Sequence, residues 1–143
     1  MKEKTHIYPL LKRNVPAHWT RIENRVGVGE PDVFGQHNGL AAWVELKLFK
    51  GNKFSFRPSQ PAWIMMNISH GGRVFVLARK KDTMLLFNGK HIPELIRRGT
   101  AIVDGVKDHP EAPTNLSMDL ADLVLLNKPW DWATMKEVLF GEQ

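Results

Sequence analysis

Apolar and polar positions follow two periods along this chain, and the switches between them lay out its elements. Arg73-Val74-Phe75-Val76-Leu77-Ala78-Arg79 is almost continuously apolar, which predicts a central strand covered on both faces. Met84 to Phe87 predicts a further strand, ended by Asn88-Gly89. Trp19 to Val26 alternates, with Trp19, Arg21, Glu23 and Arg25 on one parity and Thr20, Ile22, Asn24 and Val26 on the other. That period of two predicts a strand leading into the Gly27-Val28-Gly29 loop. Helical spacing shows first at Ile7, Leu10, Leu11 and Val15, with Glu3 in step before them. Pro9 suits a first turn and is costly inside a helix, so the helix either starts near Tyr8 or bends at Pro9. A second helix is predicted from Ser59 to His70, opened by Pro58 and Pro61 and closed by Gly71-Gly72. Its stripe is Ala62, Met65, Met66 and Ser69, with Trp63 beside it. Ile92 to Arg98 predicts a short helix with Gly99 past its end, and Asp104 to Pro113 a loop. Leu116 to Leu126 and Pro129 to Phe140 are read as a C-terminal pair of helices that cover the sheet or form a dimer interface.

Between the first two helices lies the stretch that carries chemistry, Glu30 to Lys47. At its middle, Asn38-Gly39 is a strong hairpin signal, because a type I′ turn needs positive φ at both central positions. A two-residue loop there makes His37 face Leu40, Phe34 face Trp43, Val33 face Val44 and Asp32 face Glu45. Directly opposed side chains sit about 4.5–5.5 Å apart at Cβ. Two carboxylates that close repel, and a divalent cation with a taste for oxygen, such as Mg²⁺, removes the repulsion. Parity puts Lys47 on the face of Asp32 and Glu45, and Val44, Leu46 and Leu48 on the other. A lysine beside such an ion can orient an attacking water or stabilise charge on a phosphorane-like transition state. The competing reading is an amphipathic hairpin with solvated charges on its wet face, and a bulge at the turn would break the Asp32–Glu45 pairing.

Composition narrows the choices. The 143 residues predict one domain, 1–143, with a core at about 1–87 and a helical extension at about 92–143. No cysteine is present, which excludes disulfides, zinc thiolates and cysteine nucleophiles. Neither a membrane-length apolar run nor a secretory leader is read, so a cytoplasmic protein with no membrane partner is expected. The six histidines form no HxH or HExxH pattern. No Gly-Lys-Ser/Thr follows the Gly27–Gly29 pair, so no nucleotide cofactor is expected. The formal charge of +5 is unevenly spread: residues 1–81 hold 14 Lys/Arg against 5 Asp/Glu, and residues 82–143 hold 6 against 10. Basic character therefore surrounds the carboxylate stretch, as suits a polyanion approaching a bound metal.

Pro31-Asp32, twelve intervening residues and Glu45-Leu46-Lys47 resemble the PD-(D/E)xK nuclease signature. Gly29-Glu30-Pro31-Asp32 is similar to the Gly-x-Pro-Asp lead-in of the virus-type replication-repair nuclease (VRR-NUC) branch, and Arg57 to Trp63 to its Gln-bearing helix start. The likeness covers about residues 1–80. It implies an α/β fold with a restriction-endonuclease-like α-β-β-β-α-β core, a mixed central sheet flanked by helices, and here C-terminal helices in addition. It also implies Mg²⁺ or Mn²⁺ held by Asp32, Glu45 and the backbone carbonyl of Leu46, with Lys47 and Gln60 completing the catalytic set. An upstream acid usually joins these; Glu3 and Glu23 are the rivals for that place. Arg21, Arg25, Lys50, Lys53 and Arg57 are candidate phosphate contacts. Small stand-alone members of the branch, often from phages or prophages, look like dimeric cutters of branched DNA such as Holliday junctions. The resemblance thus implies a homodimeric, structure-specific DNA endonuclease. The alternatives are a non-catalytic nucleic-acid-binding module with the same fold and a sequence-specific restriction-type nuclease.

Overall fold

The computed structural model describes residues 6–22 and 29–141. It is a mixed α/β structure built on one six-stranded sheet with helices on both faces. Helix α1 (Tyr8–Asn14) leads to β1 (His18–Arg21), β2 (Val33–His37) and β3 (Leu40–Leu48). After the short strand β4 (Phe54–Phe56) come α2 (Ser59–Ser69), β5 (Val74–Lys80) and β6 (Thr83–Asn88). Then follow α3 (Ile92–Arg98), β7 (Ala101–Val103), β8 (Leu123–Leu125) and α4 (Trp132–Phe140). The sheet order is β1-β2-β3-β5-β6-β8, in which β3 and β5 are parallel and every other neighbouring pair is antiparallel. Strands β4 and β7 form a separate parallel pair.

Two apolar layers clamp the sheet. One gathers Leu11 of α1, Val44 and Leu46 of β3, Leu77 of β5 and Leu139 of α4. The other gathers Phe54, Phe56, Ile64 of α2, Val76 of β5 and Leu95 of α3. Strand β5 sends alternate residues into the two layers, which is why its sequence has no polar period. Strand β3 does the same at Val44 and Leu46, but opposite them it places Glu45 and Lys47, both buried. The competing reading of an amphipathic hairpin with a wet face is therefore not what forms: both faces of β3 are covered.

The first helix resolves in favour of a start near Tyr8, with Pro9 in its first turn. The second helix has its boundaries as expected, and Gly71 closes it at φ 88°. Its buried face is not the Ala62–Met65–Met66–Ser69 stripe, however. Gln60 and Ile64 point inward, and Met66 is 62% exposed. A helix carrying apolar residues all round gives no clear inward direction by periodicity.

The C-terminal expectation needs correction. Leu116 to Leu126 is not a helix: it holds a single 3₁₀ turn at Met118–Leu120 and then β8, which pairs with β6 as the edge of the sheet. Apolar spacing there imitates a helix, but the open edge of β6 offers unpaired backbone groups, and Ser117 at φ 58° interrupts any helix. The extension is thus mixed: two helices, two short strands and a long loop, with α4 starting at Trp132 and covering the sheet. No helix among the described residues is long and apolar enough to cross a membrane.

Candidate active site

The turn sets the register. Asn38 has φ 50° and Gly39 φ 78°, the pair of positive values that a type I′ turn requires. No bulge intervenes, so His37 pairs with Leu40, Phe34 with Trp43 and Val33 with Val44. Asp32 stands one residue before β2, opposite Glu45, as the pairing predicts. Its N–H donates to Glu45 Oε1 at 3.1 Å, and its own Oδ2 accepts from the Leu46 N–H at 2.8 Å. The β2–β3 ladder has ended at Val33–Val44, so a side chain takes up the Leu46 amide that a longer β2 would have used. The Leu46 N–H is thus tied to Asp32, while the carbonyl expected as a metal contributor is a separate group of the same residue.

Lys47 lies on the same face two residues on. Its ammonium donates to Glu45 Oε2 at 3.1 Å and to Gln60 Oε1 at 3.2 Å, and sits 5.0 Å from the centre of the Phe56 ring. Gln60 enters from the first turn of α2. Its Nε2 donates to Glu45 Oε2, and its Oε1 also accepts the Arg57 N–H at 2.8 Å. Gln60 bonds the start of its own helix, but it is buried and faces the acids. Exposures of 5% for Asp32, 2% for Glu45, 7% for Lys47 and 2% for Gln60 put all four under the surface. Charges this deep are costly unless paired or bound to a metal.

Burial pushes the Glu45 carboxyl up to about 7, the nearby Asp32 charge adds to the rise, and Lys47 opposes it. Glu45 is therefore poised to change protonation near neutral pH, which is common at sites that bind cations or move protons. Two oxygen-donor carboxylates facing each other across a turn fit Mg²⁺ or Mn²⁺ by ligand chemistry. Among the described residues no group of three or more acids or histidines assembles, so the pair stands without a third. Glu3 and Glu23, the two rivals for that place, lie outside the described residues, and so does Arg25.

The remaining phosphate candidates are spread out. Arg21 is exposed on β1, with its guanidinium 5.8 Å from the Tyr8 ring centre. Lys50 and Lys53 face each other across an isolated bridge in the turn after β3. Arg57 adjoins Gln60, and its Nη2 is buried without a hydrogen-bond partner.

Two supporting residues escaped the reading of the sequence. Phe56 shields Lys47, which only the β4 placement reveals. Gly29 has φ +91°, and a Cβ there would lie 2.3 Å from the Ser59 carbonyl oxygen. The lead-in to Asp32 is thereby pressed against the start of α2, the helix that delivers Gln60. The signal for it was the glycine of Gly29-x-Pro-Asp. Gly29→Ala is expected to lower stability by about 1–3 kcal/mol through backbone strain and to weaken whatever activity depends on Gln60. Thermal unfolding of the purified variant checks the first expectation; an unchanged midpoint contradicts it.

No protein-family model matches this chain, and no curated protein matches it.

Proposed function

We propose that this chain is a metal-dependent endonuclease that hydrolyses phosphodiester bonds in DNA. The observation that carries the reading is the meeting of Asp32, Glu45, Lys47 and Gln60 in one buried cluster, although they come from three separate elements. Stability alone gives no reason to oppose two carboxylates and bury a lysine against them. The order of elements, with a hairpin followed by a helix and a parallel strand beside β3, is compatible with the nuclease-like core that the resemblance implies. Arg57, whose backbone N–H bonds Gln60, has a buried Nη2 without a hydrogen-bond partner among the described residues, and an anionic oxygen would suit it as acceptor.

In this reading Asp32 and Glu45 hold Mg²⁺ or Mn²⁺, which when bound supplies a Lewis acid for the phosphate and helps ionise the attacking water. Lys47 presents its ammonium to the phosphate oxygens, where negative charge grows as the fifth bond forms. Glu45 and Gln60 keep that ammonium aimed, since both bond it in the resting site. Phe56 and the surrounding apolar layer keep bulk water from screening these charges. The finer proposal is a homodimer acting on branched DNA, because resolving a four-way junction takes two symmetrically placed cuts. No base-reading element is evident among the described residues, so shape and backbone are the expected basis of recognition.

The test is incubation of purified protein with labelled four-way, flap and linear DNA and with RNA, in Mg²⁺, Mn²⁺ or EDTA. The expected result is metal-dependent cleavage of DNA, strongest on branched substrates and absent in EDTA. Cleavage of plain duplex at one fixed sequence would favour the restriction-type alternative, and binding without cleavage in any metal the non-catalytic one.

A further inference from the structure

A second built feature lies at the far end of the strand that carries the site. Beyond Lys47, where the parallel strands β3 and β5 both end, lies a cavity of about 670 Å³. That volume falls within the range of small-molecule and nucleotide sites. Its cationic lining comes from Lys50, Lys53, Arg79, Lys80 and Lys81, and no acidic residue lines it among the described residues. Two of these cations are already engaged: Arg79 bonds the carbonyls of Lys81 and His6, and Lys80 bonds Asn52. Lys50 and Lys53 are different. They are directly opposed across a β-bridge, their backbones joined by hydrogen bonds of 2.8 and 3.2 Å. Like charges held opposite each other destabilise a pair, just as the two carboxylates do at the other site, but with the sign reversed. An anion between them removes the repulsion.

The floor is of another kind. Leu48, Phe49 and Phe54 give it an apolar surface, and the Phe49 and Phe54 rings meet edge to face at 5.3 Å. The aromatic contacts run on from Phe54 to Phe56 at 5.6 Å, and Phe56 touches the Lys47 ammonium. A basic rim over an apolar, aromatic floor is the arrangement that holds a phosphate and a base together. Three residues of extended chain separate Lys47 from Lys50, about 10 Å. Successive phosphates of one strand in a duplex rise about 3.4 Å each, and an extended strand covers the distance in fewer steps.

We infer that this cavity is a second nucleic-acid subsite, which seats an unpaired nucleotide of the DNA strand within about three nucleotides of the phosphate held at Asp32 and Glu45. Its phosphate lies between Lys50 and Lys53, and its base rests on the Phe49 ring. This deepens the nuclease reading and rests on it for the position of the strand. It also gives that reading a physical reason to prefer branched or frayed substrates, since an unpaired base can enter the cavity and a stacked one cannot.

The test measures binding of a fluorescent ten-nucleotide oligothymidylate in EDTA, by anisotropy, across a range of salt. Three chains are compared: wild type, Lys50→Glu/Lys53→Glu, and a control with the same charge change at exposed sites elsewhere, Lys90→Glu/Lys107→Glu. The first pair is expected to bind at least tenfold more weakly, with a salt slope shallower by about 0.7 for the one phosphate no longer held on a single strand; the control stays within threefold. If the glutamate pair does not fold, Lys50→Gln/Lys53→Gln is measured in its place. Equal losses in the cavity variant and the control would overturn the inference. Hydrolysis of bis(p-nitrophenyl) phosphate in Mn²⁺ by wild type, and its loss in Asp32→Asn, is measured in parallel. Failure of that arm counts against the nuclease reading alone, and a cavity-specific loss of binding still supports the subsite.

Discussion

Asp32→Asn, Glu45→Gln and Lys47→Ala are each expected to leave DNA bound but uncut. The expected loss of cleavage is about three orders of magnitude or more, ~4 kcal/mol in the barrier. In the proposed mechanism the three act as a unit, so each single change should cost nearly as much as any pair. Their packing differs, and so will their side effects. Asp32→Asn keeps the shape of the acid and can still accept the Leu46 N–H. Glu45→Gln can keep the Asp32 N–H as a donor to its oxygen, but it then turns an NH2 toward Lys47 and Gln60 and leaves the ammonium buried without its anion. Lys47→Ala leaves Glu45 buried without its cation, so these two variants should unfold at a lower temperature than Asp32→Asn. Gel-based cleavage and anisotropy on the same junction, with thermal unfolding of each variant, separate these effects. Cleavage by Asp32→Asn at the wild-type rate would end the catalytic assignment.

A second large effect concerns pH. In the folded chain Glu45 holds its proton up to about pH 7, against an ordinary value of 4.5. Between those values the folded state binds more protons than the unfolded state, so stability falls as pH rises. A shift of this size corresponds to about 3 kcal/mol, present below the unfolded pKa and lost as pH passes through 7. The thermal midpoint of metal-free wild type is therefore expected to drop between pH 5 and pH 8, and Glu45→Gln should flatten that drop. Added Mg²⁺ should restore the midpoint more at pH 8 than at pH 5.5, because a cation must displace the proton. Identical pH curves for wild type and Glu45→Gln would show that the Glu45 ionisation carries no such cost.

The heart of the site was legible because a hairpin has little freedom. Asn38-Gly39 names its turn type, the turn type sets the register, and the register brings Asp32 opposite Glu45. Parity then determines where Lys47 points. Gln60 was found through the family likeness; its own helix gave no guide, since apolar residues surround α2 and the exposed Met66 was as plausible inward as Ile64. The depth of the site was not visible either. Charged residues on β3 read as a wet face, and only the packing of β4 and α2 over them shows otherwise. Strand β8 was missed for a related reason: its partner, the edge of β6, lies some forty residues away in sequence, where local periodicity carries no information.

The most direct measurement is a titration of Mn²⁺ by electron paramagnetic resonance at pH 8, on wild type, Asp32→Asn and Glu45→Gln. Wild type should take up an ion in a site that either substitution weakens at least tenfold. Equal uptake by all three chains would contradict the claim that Asp32 and Glu45 share a cation.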